Sequence, residues 1–171
     1  MGKKIKIILG IVFFPITILF FILKILFKKL SKKKFHEYLQ NLTIKDIDTL
    51  NGHDFEEVMY ELFKSAKLKV EKTPKSRDYG ADLIITTKHE KIVIQCKLYF
   101  NHNVGNSAIQ EINTAKSYYD ATMGVVITNS FFTKPAISLA ERNQVKMMDR
   151  NALIEFLSAD KKTKKIIIET M

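Results

Sequence analysis

The chain has 171 residues, room for about one domain and an appendage, and its formal net charge is +10. Its one cysteine, Cys96, excludes an internal disulfide framework and is typical of a reducing compartment. The four histidines lack zinc-ligand spacing, which argues against a structural zinc site.

The positive charge is concentrated at the N-terminus. Residues 1–34 contain nine lysines and no acidic residue, so residues 35–171 carry 19 Lys and Arg against 18 Asp and Glu, a net charge of +1. A DNA-binding argument based on overall basicity therefore does not apply to the larger part of the chain. Any DNA-binding surface there must be a local patch.

An apolar segment lies between the N-terminal lysines. Residues 7–23 carry no charge, and extension to Phe27 adds only Lys24. Because about 20 helical residues cross a bilayer core, the segment predicts one transmembrane helix over about 7–27, in an anchor formed by residues 1–34. The following KKLSKKK lacks the small residues of a signal-peptidase site. A hairpin bent at Pro15 or an interfacial anchor remains an alternative.

Lysine asymmetry predicts the orientation of this span. Three lysines precede it and six lie at or beyond its end. The positive-inside rule then puts the C-terminal side in the cytoplasm, as a single-pass membrane protein. The cluster Lys28–Lys34 is also suited to bind anionic lipid heads.

The rest of the chain predicts a connector, a domain and a tail. The connector covers residues 35–50, the domain 51–157 and the basic C-terminal tail 158–171. Helices are predicted at 51–67, 106–120, 133–142 and 151–157, and strands at 69–73, 82–87, 91–98, 124–128 and 145–148. This order predicts an α/β fold in which helices flank a mixed β-sheet.

One acid of the first predicted helix is a candidate site residue. At 100° per residue, Glu56 lies at the margin of the apolar stripe of helix 51–67, whereas Glu57 points away from it. Glu56 is therefore the helix acid that we expect to reach a site. The alternative is a solvated first-turn acid favoured by the helix dipole.

Two adjacent strands carry a polar group. Alternation along strand 91–98 places Gln95 and Lys97 on one face and Cys96 on the other, among core residues. If the hairpin turn centres on His89-Glu90, paired residue numbers sum to 179. Asp82 then lies opposite Lys97 and shares its face. An odd-length loop or a bulge would break this register.

These residue types suit metal-dependent phosphodiester hydrolysis. The Asp82 carboxylate can hold Mg²⁺ through hard oxygens, and Gln95 can add a neutral ligand. Lys97 can neutralise phosphate charge and orient water, while Glu56 can add the negative charge that Gln95 lacks. The alternative is a cross-strand salt bridge between Asp82 and Lys97.

Six motifs occur in a family-like order. They are FEEVMYELF, DYGADLII, VIQCKLY, VGNSAIQE, GVVITNSFFT and VKMMDRNAL. Together they resemble the catalytic domain of Mrr-like type IV restriction endonucleases, within the restriction-endonuclease-like nuclease superfamily, over about residues 51–157.

This resemblance implies a Mg²⁺-dependent DNA endonuclease. Its motif residues fall on the catalytic set Glu56, Asp82, Gln95 and Lys97. The metal ligands would be Asp82 and Gln95, with Glu56 as a further candidate. Gln at position 95 is a known form of the motif. Asp78 and Gln110 also match recurrent positions, without an assigned role.

The sequence departs from the family in two respects. A membrane segment stands where relatives often carry a DNA-recognition domain, and the nearly neutral charge of residues 35–171 argues against strong nonspecific DNA affinity. Modified-base specificity therefore has no visible basis. Ser130 and Thr133 are candidate DNA-phosphate contacts at a helix start, and helix capping is their alternative role. Phe131 and Phe132 are predicted to be core and rim residues rather than base-stacking groups.

The resulting interpretation is a membrane-anchored endonuclease that faces the cytoplasm and acts in restriction of foreign or modified DNA. One alternative is a non-catalytic module that keeps the nuclease fold to bind DNA or protein. Another is RNA as the substrate. The sequence leaves the oligomeric state open, with a homodimer as one possibility.

Overall fold

The computed structural model describes residues 33–35, 37–74 and 79–171. The predicted span at 7–27, most of its basic flanks and Asp78 lie outside these ranges. Within the described residues, none of the helices combines the length and apolarity needed to cross a membrane. The chain divides into two compact units, residues 1–41 and 42–171. In the first unit, residues 37–40 are helical.

The second unit alternates helices and strands as predicted. Its helices are α1 (Ile44–Ile47), α2 (Gly52–Ser65), α3 (Asn106–Tyr118), α4 (Lys134–Asn143), α5 (Arg150–Ser158) and α6 (Lys161–Glu169). Its strands are β1 (Lys69–Lys72), β2 (Leu83–Thr86), β3 (Lys91–Lys97), β4 (Met123–Thr128) and β5 (Val145–Met148). Helix α1 lies within the predicted connector and α6 within the predicted C-terminal tail.

Local chemistry explains where the longer helices begin. The Asn51 side chain accepts a hydrogen bond from the Asp54 N–H at the start of α2, and the Thr133 hydroxyl accepts one from Ala136 at the start of α4. Each cap satisfies one of the N–H groups that a helix start leaves without an intrahelical partner. The capping role that the sequence offered for Thr133 is thereby confirmed.

Within the described ranges, the five strands form one mixed sheet in the order β1-β2-β3-β4-β5. The pairs β1–β2 and β2–β3 are antiparallel, and the pairs β3–β4 and β4–β5 are parallel. Helices α3 and α4 make the two crossovers that parallel pairing requires. The prediction of a mixed sheet flanked by helices is confirmed.

Apolar layers cover both faces of the sheet. On one face, α2 buries Phe55, Met59 and Phe63, and the Phe63 ring lies 5.7 Å from the ring of Phe156 on α5. On the other face, α3 and α4 pack against β3 and β4 in a cluster that includes Val93. A large apolar side chain buried in this way stabilises the fold by about 1.5–3 kcal/mol. Strand β3 is therefore central and covered on both sides.

The predicted hairpin register is wrong by two residues. Ile84 pairs with Val93, so paired numbers sum to 177 rather than 179. The cause is Thr87, whose hydroxyl accepts hydrogen bonds from the N–H groups of His89 and Glu90 and moves the turn one residue towards β2. A shift of two residues leaves every side chain on its predicted face, because the side-chain period of a strand is two.

Candidate functional site

The predicted site residues of the hairpin meet at one edge of the sheet. Strand β3 ends at this edge with Gln95 and Lys97, and Asp82 immediately precedes β2, which runs antiparallel to it. Gln95 is only 3% exposed, and the Lys97 side chain is 26% exposed. The edge therefore presents a carboxylate, an amide and an ammonium group that are largely withdrawn from solvent.

Asp82 is attached to β3 by backbone and side chain. Its N–H donates to the Ile94 carbonyl over 2.8 Å, and its Oδ2 accepts from the Cys96 N–H over 2.7 Å. The carboxylate thus takes the place that a strand carbonyl would occupy in a regular ladder. Because Asp82 bonds to both chain neighbours of Gln95, it lies level with Gln95. The predicted register had instead placed it opposite Lys97.

Gln95 and Lys97 lie on the same face of β3, as predicted, and both contact helix α3. The Glu111 Oε2 atom accepts hydrogen bonds from Gln95 Nε2 over 2.5 Å and from Lys97 Nζ over 2.8 Å. The opposite end of the Gln95 amide, Oε1, is buried and has no hydrogen-bond partner among the described residues. A buried acceptor of this kind is costly and calls for a specific explanation.

Glu56 approaches the edge from the other face of the sheet. It lines a cavity of about 270 Å³ together with Asp82. The ring nitrogen Nδ1 of His53 lies 3.7 Å from Glu56 Oε2. Glu57, which the helical wheel excluded, lines the same cavity and pairs with Lys72 of β1. The prediction that Glu56 alone reaches this region is therefore wrong, because β1 extends the cavity to the adjacent side of the helix.

Three charged side chains of the site shift the pKa of the Cys96 thiol. Burial raises the pKa of the Cys96 thiol, the carboxylates of Asp82 and Glu56 raise it further, and Lys97 lowers it. This thiol is buried, which confirms its assignment to the core and disfavours the reactive thiolate.

Glu111 keeps Lys97 protonated. Burial lowers the pKa of Lys97, but the hydrogen bond and the charge of Glu111 outweigh burial, and the net direction is upward. For Glu111, burial raises the pKa, yet hydrogen bonds from Lys97 and Gln95 give a net decrease. At neutral pH, the pair is an ammonium and a carboxylate.

The two predicted phosphate contacts have partners within the chain. The Thr133 hydroxyl caps α4, and the Ser130 hydroxyl donates to the His102 carbonyl over 2.8 Å. Their contact with DNA stays a prediction. Phe132 is buried and Phe131 is 42% exposed, so the pair supplies one core and one rim residue, with Phe132 as the core residue.

The sequence interpretation missed Glu111 and favoured its neighbour Gln110. Gln110 is exposed, whereas the Glu111 side chain reaches β3. A signal was present, since Glu111 stands three residues after Ala108 and four before Ala115, both on the buried face of α3. An acid at the border of an apolar stripe indicates a partner on the packed side.

A second group that the sequence did not reveal joins distant parts of the domain. Arg150 donates to both carboxylate oxygens of Asp48, over 2.9 and 2.7 Å, and to the Asn129 carbonyl. The Asn129 side chain in turn bonds to the backbone N–H and C=O of Tyr99, two residues beyond Lys97. This network fixes the chain where it leaves β3.

The available oxygen ligands suit a hard divalent cation. The Asp82 carboxylate and the unpartnered Gln95 carbonyl oxygen are oxygen donors of the kind that Mg²⁺ prefers. No cluster of three or more His, Cys, Asp or Glu side chains positioned for a metal occurs in the described part of the chain. The ligand set therefore depends on the neutral amide of Gln95.

Comparison with known proteins addresses the family and the fold of the chain. The model of the Mrr_cat family, described as "Restriction endonuclease", matches residues 47–157. A search of curated proteins found no match.

Two solved structures share the fold. A protein of unknown function, AF1548, is 14% identical with a TM-score of 0.50, over 58% of this chain and 58% of that one. The DNA modification-dependent restriction endonuclease AspBHI is 17% identical with a TM-score of 0.53, over 78% of this chain and 38% of that one. This chain therefore spans less than two thirds of either protein. Since the family model covers well over half of the sequence, the chain belongs to the Mrr_cat family of restriction endonucleases.

Proposed function

We propose that this protein is a membrane-anchored, Mg²⁺-dependent DNA endonuclease. The observation that carries the proposal is the buried Gln95 Oε1 atom, a carbonyl oxygen without a hydrogen-bond partner in the described residues. It lies level with the Asp82 carboxylate at the edge where Lys97 ends β3. Membership of the Mrr_cat family supports DNA as the substrate.

Asp82 and Gln95 would hold the cation, with Glu56 as a further ligand from the α2 side of the cavity. When bound, Mg²⁺ supplies stabilisation of negative charge on the phosphate and a lowered pKa for the attacking water. A carboxylate and a carbonyl oxygen bring little charge of their own. We therefore expect weak binding of the metal in the absence of DNA.

Lys97 acts as a fixed cation. Because Glu111 raises the pKa of Lys97, the ammonium stays charged at neutral pH and does not serve as the base. Its role is to neutralise charge on the scissile phosphate and to orient water beside it. Asp82 contributes through a carboxylate whose orientation is held by the Cys96 N–H.

DNA would be held by local contacts. Residues 35–171 have a net charge of only +1, which provides little nonspecific attraction to a polyanion. Ser130 and Thr133 remain candidates for phosphate contact near the carboxyl end of β4. Weak intrinsic affinity for DNA would suit an enzyme that is concentrated at a membrane.

The anchor is the apolar segment at about 7–27, and its basic C-terminal flank places the nuclease domain in the cytoplasm. Anchoring would let the enzyme intercept foreign or modified DNA as it enters the cell. Cell fractionation and protease access from each side of the membrane test the anchor. Unchanged restriction of incoming DNA after deletion of residues 1–34 would contradict the role of the anchor.

The decisive experiment uses the full-length protein in mild detergent. Modified plasmid, unmodified plasmid and RNA are incubated with the protein, with and without Mg²⁺. We expect metal-dependent cleavage of DNA that falls by about 100-fold or more in Asp82→Asn and in Lys97→Ala. Lys88→Ala, an exposed lysine in the hairpin turn, is the control and should cleave normally.

Each other result has a defined meaning. Binding of DNA without cleavage under any metal condition would favour the non-catalytic module. Cleavage of RNA alone would change the substrate class. Cleavage that persists in both site variants would show that Asp82 and Lys97 are not catalytic residues.

A further inference from the structure

Glu111 controls which end of the Gln95 amide faces the site. Its Oε2 accepts from Gln95 Nε2 over 2.5 Å, so the amide carbonyl must point the opposite way. A reversed amide would set its carbonyl oxygen against a carboxylate oxygen, with two acceptors in contact and no proton between them. The orientation that leaves Gln95 Oε1 without a partner is therefore imposed by Glu111.

The same carboxylate oxygen also holds Lys97. The distance from Lys97 Nζ to Glu111 Oε2 is 2.8 Å, and the Lys97 side chain is 26% exposed. A lysine side chain has several rotatable bonds, and one charged hydrogen bond removes much of that freedom at this edge. One acid on α3 thus orients two residues of β3 that stand on the same face.

The backbone of Glu111 lies against the loop that leads to Asp82. The loop before β2 approaches α3 so closely that a Cβ atom on Gly80 would lie 2.7 Å from the Glu111 carbonyl oxygen and 2.8 Å from the Glu111 Cβ. Asp82 follows two residues later and bonds to β3. The backbone around Glu111 is therefore a common support for Asp82, Gln95 and Lys97.

We propose that Glu111 is a positioning residue of the nuclease site, which directs the Gln95 carbonyl oxygen towards the divalent cation and Lys97 towards the phosphate. This inference rests on the proposed function. Carboxylates that orient metal ligands through hydrogen bonds typically change metal affinity or activity by about 10- to 100-fold when they are removed. Glu111 acts through its two partners and need not touch either the metal or the substrate.

Calcium binding to the full-length protein in detergent, measured in the presence of a DNA duplex, tests the role independently of catalysis. Isothermal titration calorimetry compares wild type, Glu111→Ala, Gln95→Ala and the double variant. We expect each single change to weaken Ca²⁺ binding by about 10- to 100-fold. The double variant should bind no more weakly than Gln95→Ala, because Glu111 acts on the metal through Gln95.

A matched control is Glu155→Ala, at an exposed acid on α5, which should bind Ca²⁺ as the wild type does. If Glu111→Ala fails to fold, Glu111→Asp keeps the charge but shortens the reach to Gln95. The same non-additivity is then expected from this variant. Urea unfolding establishes that each variant is folded.

The outcomes separate the two proposals. If wild type cleaves DNA and binds Ca²⁺, but Glu111→Ala binds Ca²⁺ within about twofold of wild type, the positioning role is overturned and the nuclease function stands. Additive losses in the double variant would also overturn it. If wild type neither binds a divalent cation nor cleaves DNA, the proposed function fails and the role of Glu111 falls with it.

Discussion

Gly80 shows how one residue can determine the geometry of a site to which it contributes no side chain. Its φ is +92°, a left-handed conformation that residues with side chains rarely adopt, and a Cβ atom at this position would lie 2.7 Å from the Glu111 carbonyl oxygen. The positive φ and the short distance to Glu111 both arise because the loop turns at Gly80 while it is in contact with α3. The position of Asp82 relative to Glu111 depends on this glycine.

Replacing Gly80 by alanine should therefore impair stability and activity together. The strained φ and the contact with the Glu111 backbone are expected to cost about 2 kcal/mol or more in the free energy of unfolding, measured in urea. Cleavage by the remaining folded enzyme should also fall, because the loop must move away from α3.

The control for this prediction is Gly52→Ala at the first residue of α2. Open space surrounds the position of its Cβ atom, so the free energy of unfolding should be unchanged or slightly increased. A loss of less than about 0.5 kcal/mol in Gly80→Ala would contradict the close approach.

The site residues differ in how far their surroundings could be predicted. The shared face of Gln95 and Lys97 follows from strand alternation alone. The meeting of both side chains with Glu111 does not, because 14 to 16 residues separate the partners and the contact depends on how α3 rotates about its axis. The hydrogen bond from the Cys96 N–H to the Asp82 carboxylate could not be predicted either, because a side-chain oxygen takes the place of the backbone carbonyl that strand pairing would supply.

At the scale of elements, the hairpin β2–β3 carries the site at its open end and, at the other end, the turn that sets the pairing register of its strands. Thr87 Oγ1 accepts from the Glu90 N–H over 2.9 Å and from the His89 N–H over 3.3 Å, while the Thr87 N–H donates to the Glu90 carbonyl. This turn selects the pairing sum of 177. The hydroxyl of one loop residue thus determines which residues of β3 lie beside Asp82.

Thr87→Val removes the hydroxyl and keeps the shape of the side chain. Two N–H groups lose their acceptor, and the free energy of unfolding should fall by about 1–2 kcal/mol in urea titration. Thr86→Val, at the exposed end of β2, should stay within about 0.5 kcal/mol of wild type. Equal effects of the two changes would show that the hydroxyl is not what holds the turn.

At the scale of the whole molecule, Asp48 and Arg150 join the segment before α2 to the start of α5. Their bidentate ion pair spans 102 positions of sequence and includes the Asn129 carbonyl. The hydrogen bond from Arg150 lowers the pKa of Asp48, against the upward effect of burial. The folded state therefore keeps this carboxylate charged at a pH where the unfolded chain has begun to protonate it.

The sign of the resulting pH dependence follows from this decrease in pKa. The stabilisation is full above the ordinary pKa of aspartate, about 4, and is lost as the pH falls through the lower pKa of the folded state. Asp48→Asn should lose about 1.5–3 kcal/mol at about pH 7. The difference in free energy of unfolding between Asp48→Asn and wild type should become smaller as the pH falls towards about 3.

Urea unfolding at a series of pH values measures that difference. Glu169→Gln, which removes a surface pair with Lys165, is the control and should change stability by less than about 1 kcal/mol at neutral pH. A deficit of Asp48→Asn that stays constant from neutral to acidic pH would contradict the assignment of the charged pair.

The sequence by itself determined the features that depend on near neighbours along the chain. The 3.6-residue and two-residue periods locate α2 to α5 and the strands, and the same alternation separates Gln95 and Lys97 from Cys96. Only the tertiary structure decided the register of 177, the position of Asp82 level with Gln95, and the carboxylate of Glu111 between Gln95 and Lys97. These depend on one turn hydroxyl and on the packing of one helix, and neither leaves a periodic signal in the sequence.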